Sequence, residues 1–324
     1  MPVMTYVEAI RQGLWEEMEH DDSVFLMGED IGAYGGAFKV TKGFLEHFGE
    51  RRVIDTPLSE SAIVGAGTGA AIHGLRPVVE MQFSDFMACG FDQITNFAAK
   101  CRYRWGASVP LVIRAPSGGG VHGGPFHSQN PEMPYVHTPG LKVVQPSTAY
   151  DAKGLIKASI RDNDPVIFLE HKYLYRSIKE DIPEDDYIVP LSKAIVRREG
   201  RDVSVISYGW MVHVALQAAE RLAAEGIEIE VVDLRTLAPY DREAVLETAK
   251  KTSKVILLHE DTITGGLGGE LAGLIGEHAF DYLDGPLVRI AAPDTPVPYS
   301  PPLEQAFLPN VEKVVEKARW LYRY

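Results

Sequence analysis

Apolar and polar positions along the first half of the chain alternate between two periods. "TYVEAIRQGLWEEMEHD" repeats at helical spacing: Val7, Ile10 and Leu14 share one face, and Thr5 stands three residues before Glu8 as a helix cap. "SVFLMGED" and "RPVVEMQF" are short apolar runs ending in acids and read as buried strands. "DFMACGFDQITNFAAKCRYRWG" reads as one long helix, and "VPLVIRAP" as a strand running into the glycine-rich loop "SGGGVHGGPFHSQNPEMPYVHTPG". The strand "LKVVQPS", the helix "AYDAKGLIKASI" and the strand "DPVIFLE" follow. Strands that are apolar throughout and alternate with helices predict an α/β fold with a parallel sheet covered on both faces.

The texture changes over residues 176–200, where "SIKEDIPEDDYIVPLSKAIVRREGRD" is charged, proline-broken and weakly periodic. A domain boundary is expected near 185, giving domains over 1–185 and 186–324. Beyond it the alternation resumes through "VSVISYG", "IEIEVVDLR", a helix from Asp241, "KVILLHED", the glycine-rich "TGGLGGELAGLIGEHAF" and "PLVRIAAP". The second domain is therefore also α/β and smaller.

Composition narrows the function classes. Apolar residues make up 45% of the 324 residues and charged ones 24%, an ordinary globular balance. The formal charge of −13 disfavours nucleic acid as a partner, because "ERR" and "VRREGR" are too short to offset it. Cys89 and Cys101 form no CxxC pair and read as reduced core residues of a cytoplasmic protein. No apolar run approaches the ~18–20 residues of a membrane helix, and the N-terminus lacks a signal peptide's basic start and apolar core.

The stretch "DTPLSESAIVGAGTG" at 55–69 carries the sharpest chemical question. Gly65, Gly67 and Gly69 with Ala70 fit the loose dinucleotide pattern, and Asp85 lies twenty residues after Gly65. That pattern needs a buried strand running into the glycines, and "RRVIDTPLSES" is charged and contains a proline. No Gly-Lys-Ser/Thr follows, so a phosphate-binding P-loop is excluded. The alternative is a helix of small residues, "SAIVGAGTGAAIHG", whose glycines, each costing ~1 kcal/mol against alanine, allow close approach of another helix or of a cofactor ring. On spacing alone Glu60 is a first-turn helix acid, Phe83 and Phe86 are core residues, and His127 is a surface histidine in a loop whose glycines permit movement.

Six blocks change that weighting. "MGED" (27–30), "DTPLSE" (55–60), "EMQFSDF" (80–86), "GGGVHGGPFHSQ" (118–129), "PGLKVVQPS" (139–147) and "RDNDPVIFLEH" (161–171) occur in order, followed by "VVDLRTLAPYD". Together they resemble the beta subunit of the thiamine-diphosphate-dependent 2-oxo acid dehydrogenases over nearly the whole chain. "TPLSE", "FDQITNFAAKCRYR" and "HSQNPE" are most similar to the branched-chain 2-oxo acid branch, while "GGGVH" and "RDNDPVIFLEH" also resemble bacterial pyruvate enzymes.

The resemblance implies two parallel-sheet domains, a transketolase-type pyrimidine-binding domain and a transketolase-type C-terminal domain. It implies oxidative decarboxylation of branched-chain 2-oxo acids with acyl transfer to a lipoyl domain. The partners would be an alpha subunit, in an α2β2 heterotetramer, and a lipoyl-bearing acyltransferase core. Glu60 would be the carboxyl that drives tautomerisation of the cofactor's aminopyrimidine, and His127 the proton donor in acyl transfer. Glu29, Leu58, Gln82 and Phe86 would line the cofactor, and Phe83, Phe86 and His127 the substrate. Phe86 stands where branched-chain members often have tyrosine, so that hydroxyl is missing here. A monovalent cation such as K⁺ would be held around Leu111, Ile160, Asp162 and Asp164, where a helix end leaves free carbonyls beside two acids.

One absence bears on the partners. The sequence contains no Gly-Asp-Gly, the motif with which thiamine enzymes hold Mg²⁺ and the diphosphate. The resemblance therefore implies a split site, with Mg²⁺ held by the alpha subunit. The competing readings are a pyruvate or acetoin dehydrogenase beta subunit, a non-catalytic docking subunit, and a nicotinamide oxidoreductase.

Overall fold

The computed structural model describes residues 2–324. The first elements are β1 (Val3–Thr5), α1 (Tyr6–His20), β2 (Val24–Gly28), α2 (Phe44–Phe48), β3 (Val53–Asp55), α3 (Glu60–Ile72), β4 (Arg76–Glu80), α4 (Cys101–Trp105) and β5 (Val112–Ser117). Next come α5 (Met133–Val136), β6 (Lys142–Val144), α6 (Ala149–Arg161), β7 (Val166–His171), α7 (Leu174–Ser177) and β8 (Lys179–Asp181). The remainder comprises β9 (Ile195–Arg198), β10 (Val203–Ser207), α8 (Trp210–Ala223), β11 (Ile229–Asp233), β12 (Thr236–Ala238), α9 (Arg242–Thr252), β13 (Val255–Thr262), α10 (Leu267–His278), β14 (Val288–Ala292), α11 (Pro301–Phe307) and α12 (Val311–Arg323).

These elements form two compact units. The first runs to Ser117 and resumes over Pro134–Leu191; the second joins Gly118–Met133 to Ser192–Tyr324. The break between the units falls at Leu191/Ser192, a few residues past the boundary expected near 185. The grouping of 118–133 with the second unit has no counterpart in the sequence reading, because nothing in a loop's composition states which core it packs on.

In the first unit β6, β7, β5, β4, β2 and β3 lie side by side in that order, every pairing parallel. Helix α1 starts with the expected cap: the Thr5 N–H donates to Glu8 Oε2 (2.8 Å) while Thr5 Oγ1 accepts from the Glu8 N–H (3.4 Å). That bonding lowers the Glu8 carboxyl below its usual range. Tyr6, Ile10, Leu14 and Met18 bury the inner face of α1. Gly13 lets it close onto α6, since a Cβ there would stand 2.6 Å from Ile156 Cγ2. Ion pairs cross the same contact from Glu16 to Lys153 (2.8 Å) and from Glu17 to Arg161 (2.7 Å).

The long helix expected over 85–106 forms only in pieces. Turns of 3₁₀ helix over Ser84–Gly90 pass into a π turn over Gln93–Phe97 and a further 3₁₀ turn, and only Cys101–Trp105 is regular α-helix. Two side chains also bond back one turn: Thr95 Oγ1 donates to Phe91 O (2.8 Å) and Cys101 Sγ to Phe97 O (3.2 Å). Gly90 presses onto α3, where a Cβ would stand 3.3 Å from the Glu60 carbonyl. Cys101 is buried as expected, but Cys89 is exposed.

The second unit carries the five-stranded sheet β14-β13-β10-β11-β9, parallel except for the antiparallel edge strand β9. Val203, Val205, Val231, Ile256 and Leu258 of the sheet pack on Met211, Ala215 and Leu222 of α8 and on Val314, Ala318 and Leu321 of α12. None of the described helices is long and apolar enough to cross a membrane.

Candidate active site

Parallel α/β sheets place their functional loops at the carboxyl ends of the strands. Here β2 ends beside Glu29, β3 leads through the 55–59 loop to Glu60, and β4 leads to Gln82, Phe83 and Phe86. The strand ends are tied together. Asp55 Oδ1 accepts from the Gly32 N–H (2.6 Å), and the Thr56 N–H donates to Gly28 O (2.9 Å).

Glu60 is the first residue of α3, and the glycines that follow lie in the body of the helix, not at a strand-to-helix turn. This geometry removes the dinucleotide reading. The three glycines differ in purpose. A Cβ on Gly67 would stand 2.9 Å from Val79 and 3.1 Å from Leu111, so Gly67 seats α3 on the sheet. Gly65 faces Gln93, and Gly69 meets nothing within 4 Å. Along the outer face of α3, Glu60, Ala62, Gly65, Ala66, Cys89 and Gln93 line a groove of about 630 Å³.

Glu29 is 5% exposed, and neither of its carboxylate oxygens meets a donor in hydrogen-bond geometry. Burial raises its pKa, the charge of Glu60 raises it further, and the Ser59 backbone N–H pulls it back only in part. An orphaned acid inside a fold costs free energy, so this pair of carboxyls fits a polar group brought in by a ligand. Phe83 and Phe86 are half-buried and meet edge to face (5.9 Å between centroids), with Phe38 against Phe83 on the other side (5.7 Å). Leu58 is 80% exposed and Gln82 half-buried, so neither is held by core packing.

Behind this edge lies a buried charge network that the sequence reading missed. Arg114 of β5 donates to Glu80 Oε2 of β4 (2.6 Å) and to both oxygens of Glu170 of β7, and Tyr175 donates to Glu170 (2.7 Å). The two carboxylates hold the arginine charged despite complete burial, which by itself pushes the other way. Burial raises Glu80, against the pull of Arg114. Charged letters inside the apolar runs "PLVIRAP" and "VIFLEH" were the available signal.

The donors expected for a cation are engaged by the chain's own cations. Arg76 donates to the carbonyls of Ile160 (2.8 Å) and Asp162 (2.9 Å), Lys142 pairs with Asp162 (2.6 Å), and Arg102 pairs with Asp164. The Leu111 carbonyl accepts from the Val166 N–H (2.9 Å). Each of the four expected ligands is thus bonded within the chain.

His127 lies in the second unit, just after a 3₁₀ turn over Gly124–Phe126. It is half-buried, and its loop is closed on itself: the Gly118 N–H donates to Gln129 O (2.9 Å) and the Gly123 N–H to Ser128 Oγ (3.1 Å). Gly118, Gly120 and Gly124 supply left-handed turns. In the same unit Glu132 is buried and accepts from the Tyr208 hydroxyl; burial, then the charge of Asp261, pushes its pKa well up. The Tyr208 ring lies parallel to that of His259, at 6.5 Å. His259 is buried with neither ring nitrogen hydrogen-bonded, and desolvation lowers it to about 4.

Two α/β units of this topology, with an acid at the start of a glycine-rich helix, define a two-domain protein of transketolase type. Residues 3–177 match the transketolase pyrimidine-binding domain and residues 192–314 the transketolase C-terminal domain. The chain is 54% identical over 329 residues to the 2-oxoisovalerate dehydrogenase subunit beta of Bacillus subtilis (strain 168), covering 100% of both. It is 45% identical over 321 residues to the pyruvate dehydrogenase E1 component subunit beta of the same organism, covering 98% of each. A solved structure titled a split gene transketolase, inactive beta4 tetramer, superposes with a TM-score of 0.80 at 24% identity over 99% of this chain and 98% of that one, a likeness of fold alone. The chain belongs to the family of 2-oxo acid dehydrogenase beta subunits.

Proposed function

We propose that this chain is the beta half of a branched-chain 2-oxo acid decarboxylase, working with an alpha subunit in an α2β2 heterotetramer and passing its acyl product to a lipoyl-bearing acyltransferase core. The substrate reading rests on the higher identity to the 2-oxoisovalerate relative, 54% against 45% for the pyruvate relative. The observation that carries the site is the pair Glu29 and Glu60, one buried with no donor in hydrogen-bond geometry and the other opening a helix of small residues.

Glu29, Leu58, Glu60, Gln82 and Phe86 would hold the pyrimidine half of thiamine diphosphate. When bound, that cofactor supplies the electron sink that lets the carboxylate of a 2-oxo acid leave as carbon dioxide. Glu60 shares a proton with the pyrimidine ring, and Glu29, whose burial favours its neutral form, limits negative charge beside it. Phe83 and Phe86 present an apolar wall that excludes water and suits a branched aliphatic side chain. His127 donates a proton during transfer to the lipoyl sulfur. Mg²⁺ and the diphosphate would be held by the alpha subunit, since this chain has no Gly-Asp-Gly.

The assembled heterotetramer tests the reading. With 3-methyl-2-oxobutanoate and pyruvate compared by kcat/KM, the branched substrate should be preferred by at least about tenfold, or ~1.4 kcal/mol of differential transition-state binding. Preference for pyruvate would transfer the chain to the pyruvate branch. Isolated from its partner, the chain should give no one-to-one isotherm with thiamine diphosphate and Mg²⁺.

A further inference from the structure

Segment 118–124 takes a backbone that most residues resist. The φ angle is positive at every second position: 86° at Gly118, 79° at Gly120, 60° at His122 and 67° at Gly124. Alternating hands of this kind turn successive N–H groups toward one side and form a cradle for an anion. The anion in it is the chain's own. Glu304, 1% exposed at the first turn of α11, accepts from the N–H groups of Gly120 (3.0 Å) and His122 (3.3 Å) through Oε1. Its Oε2 lies 2.6 Å from Nδ1 of His122. Glu260, at the end of β13, accepts from the Gly119 N–H (2.6 Å).

The seat is tight. A Cβ on Gly119 would stand 3.3 Å from Leu308 and 3.4 Å from each of the two carboxylates. One on Gly124 would run into the Tyr299 ring. His122 is the only non-glycine among the four left-handed positions, and a side chain is tolerated there where it reaches back to Glu304. A buried carboxylate that takes two backbone donors and an imidazole over-determines the turn, and the chain leaves that turn through Phe126 to His127.

We propose that Glu304 is a positioning residue for acyl transfer: through His122 and the N–H cradle it sets where His127 is presented. The inference rests on the reading of His127 as the transfer residue. It differs from that reading in acting on the order of the loop, which can be measured without turnover.

The test uses the full heterotetramer with Glu304→Gln, which keeps an acceptor for the N–H groups and loses the charge facing His122. Amide exchange over 119–122 should quicken by about tenfold or more, with the core strands β10 and β13 unchanged. Transfer to a lipoyl substrate should fall about tenfold in kcat, while decarboxylation read with an artificial electron acceptor and the KM for the oxo acid stay within about twofold. His122→Asn, which tolerates the left-handed backbone, should move both readouts the same way by less. In a His127→Ala background Glu304→Gln should add no further loss of transfer. Unchanged exchange in the folded variants, or transfer and decarboxylation falling together, would overturn the proposal. If Glu304→Gln loosens the loop while His127→Ala transfers normally, the anchor stands and the assignment of His127 falls instead.

Discussion

Arg114 and Glu170 meet as a fork on a fork: Nε lies 2.6 Å from Oε1 and the second nitrogen 2.8 Å from Oε2, both side chains fully buried. The pair joins β5 to β7, and Glu80 extends it to β4, so three strands are locked in register where they deliver the site loops. Removing Glu170 strips Arg114 of its bidentate partner and leaves Glu80 as the one remaining carboxylate against a fully buried guanidinium. Glu170→Ala is therefore expected to destabilise the first unit by about 3–5 kcal/mol. At roughly 2–4 °C per kcal/mol for a unit of this size, melting should fall on the order of 10 °C. A loss under 1 kcal/mol in denaturant titration would show that Glu80 holds the buried arginine without Glu170.

Glu60→Gln should lower turnover of the assembled enzyme by two or more orders of magnitude, with assembly and melting temperature unchanged. The amide preserves the shape at the start of α3 but cannot share a proton with the ring. Near-normal kcat in a folded variant would remove Glu60 from the chemistry.

The second unit has a pH signature of known sign. His259 ordinarily titrates near 6.5 and is lowered to about 4 by desolvation. Between those values the unfolded chain binds the proton more readily. Stability from the buried neutral ring is therefore present above pH 6.5 and lost as pH falls toward 4, by on the order of 3 kcal/mol. His259→Phe should not lose this component, so its stability relative to the parent should rise on acidification over that window. Asp261 has the opposite sign, because burial raises it to about 6 and its folded form gains as pH falls through that value. Denaturant midpoints at several pH values separate the two, and parallel curves for parent and His259→Phe would contradict the assignment.

The glycines of α3 should respond unequally to alanine. Gly69→Ala meets open space and removes a helix-interior glycine, so the isolated chain should gain about 1 kcal/mol. Gly67→Ala drives a methyl group against Val79 and Leu111, and overpacking of ~1–3 kcal/mol should cancel or exceed that gain. Equal effects at the two positions would mean that α3 does not sit on the sheet through Gly67.

Much of the fold was legible because it is local. Helical spacing in 6–20, the Thr5–Glu8 cap and the all-apolar strands are properties of neighbouring residues, and the chain's own chemistry makes them. The order of motif blocks resembles the family, and the roles expected of Glu29, Glu60 and His127 come from that resemblance. What tertiary structure decided was non-local. Whether Gly67 or Gly69 touches anything depends on a strand ten or more residues away. The segment over 84–105 departs from a regular helix where Gly90 presses onto the Glu60 carbonyl, and Cys89 came out exposed. Arg114 found Glu170 across 56 positions, and Glu304 reached His122 across 182. Such partners are chosen by the packing of whole units, because a buried charge or a left-handed turn is stable only where distant chain supplies its counterpart.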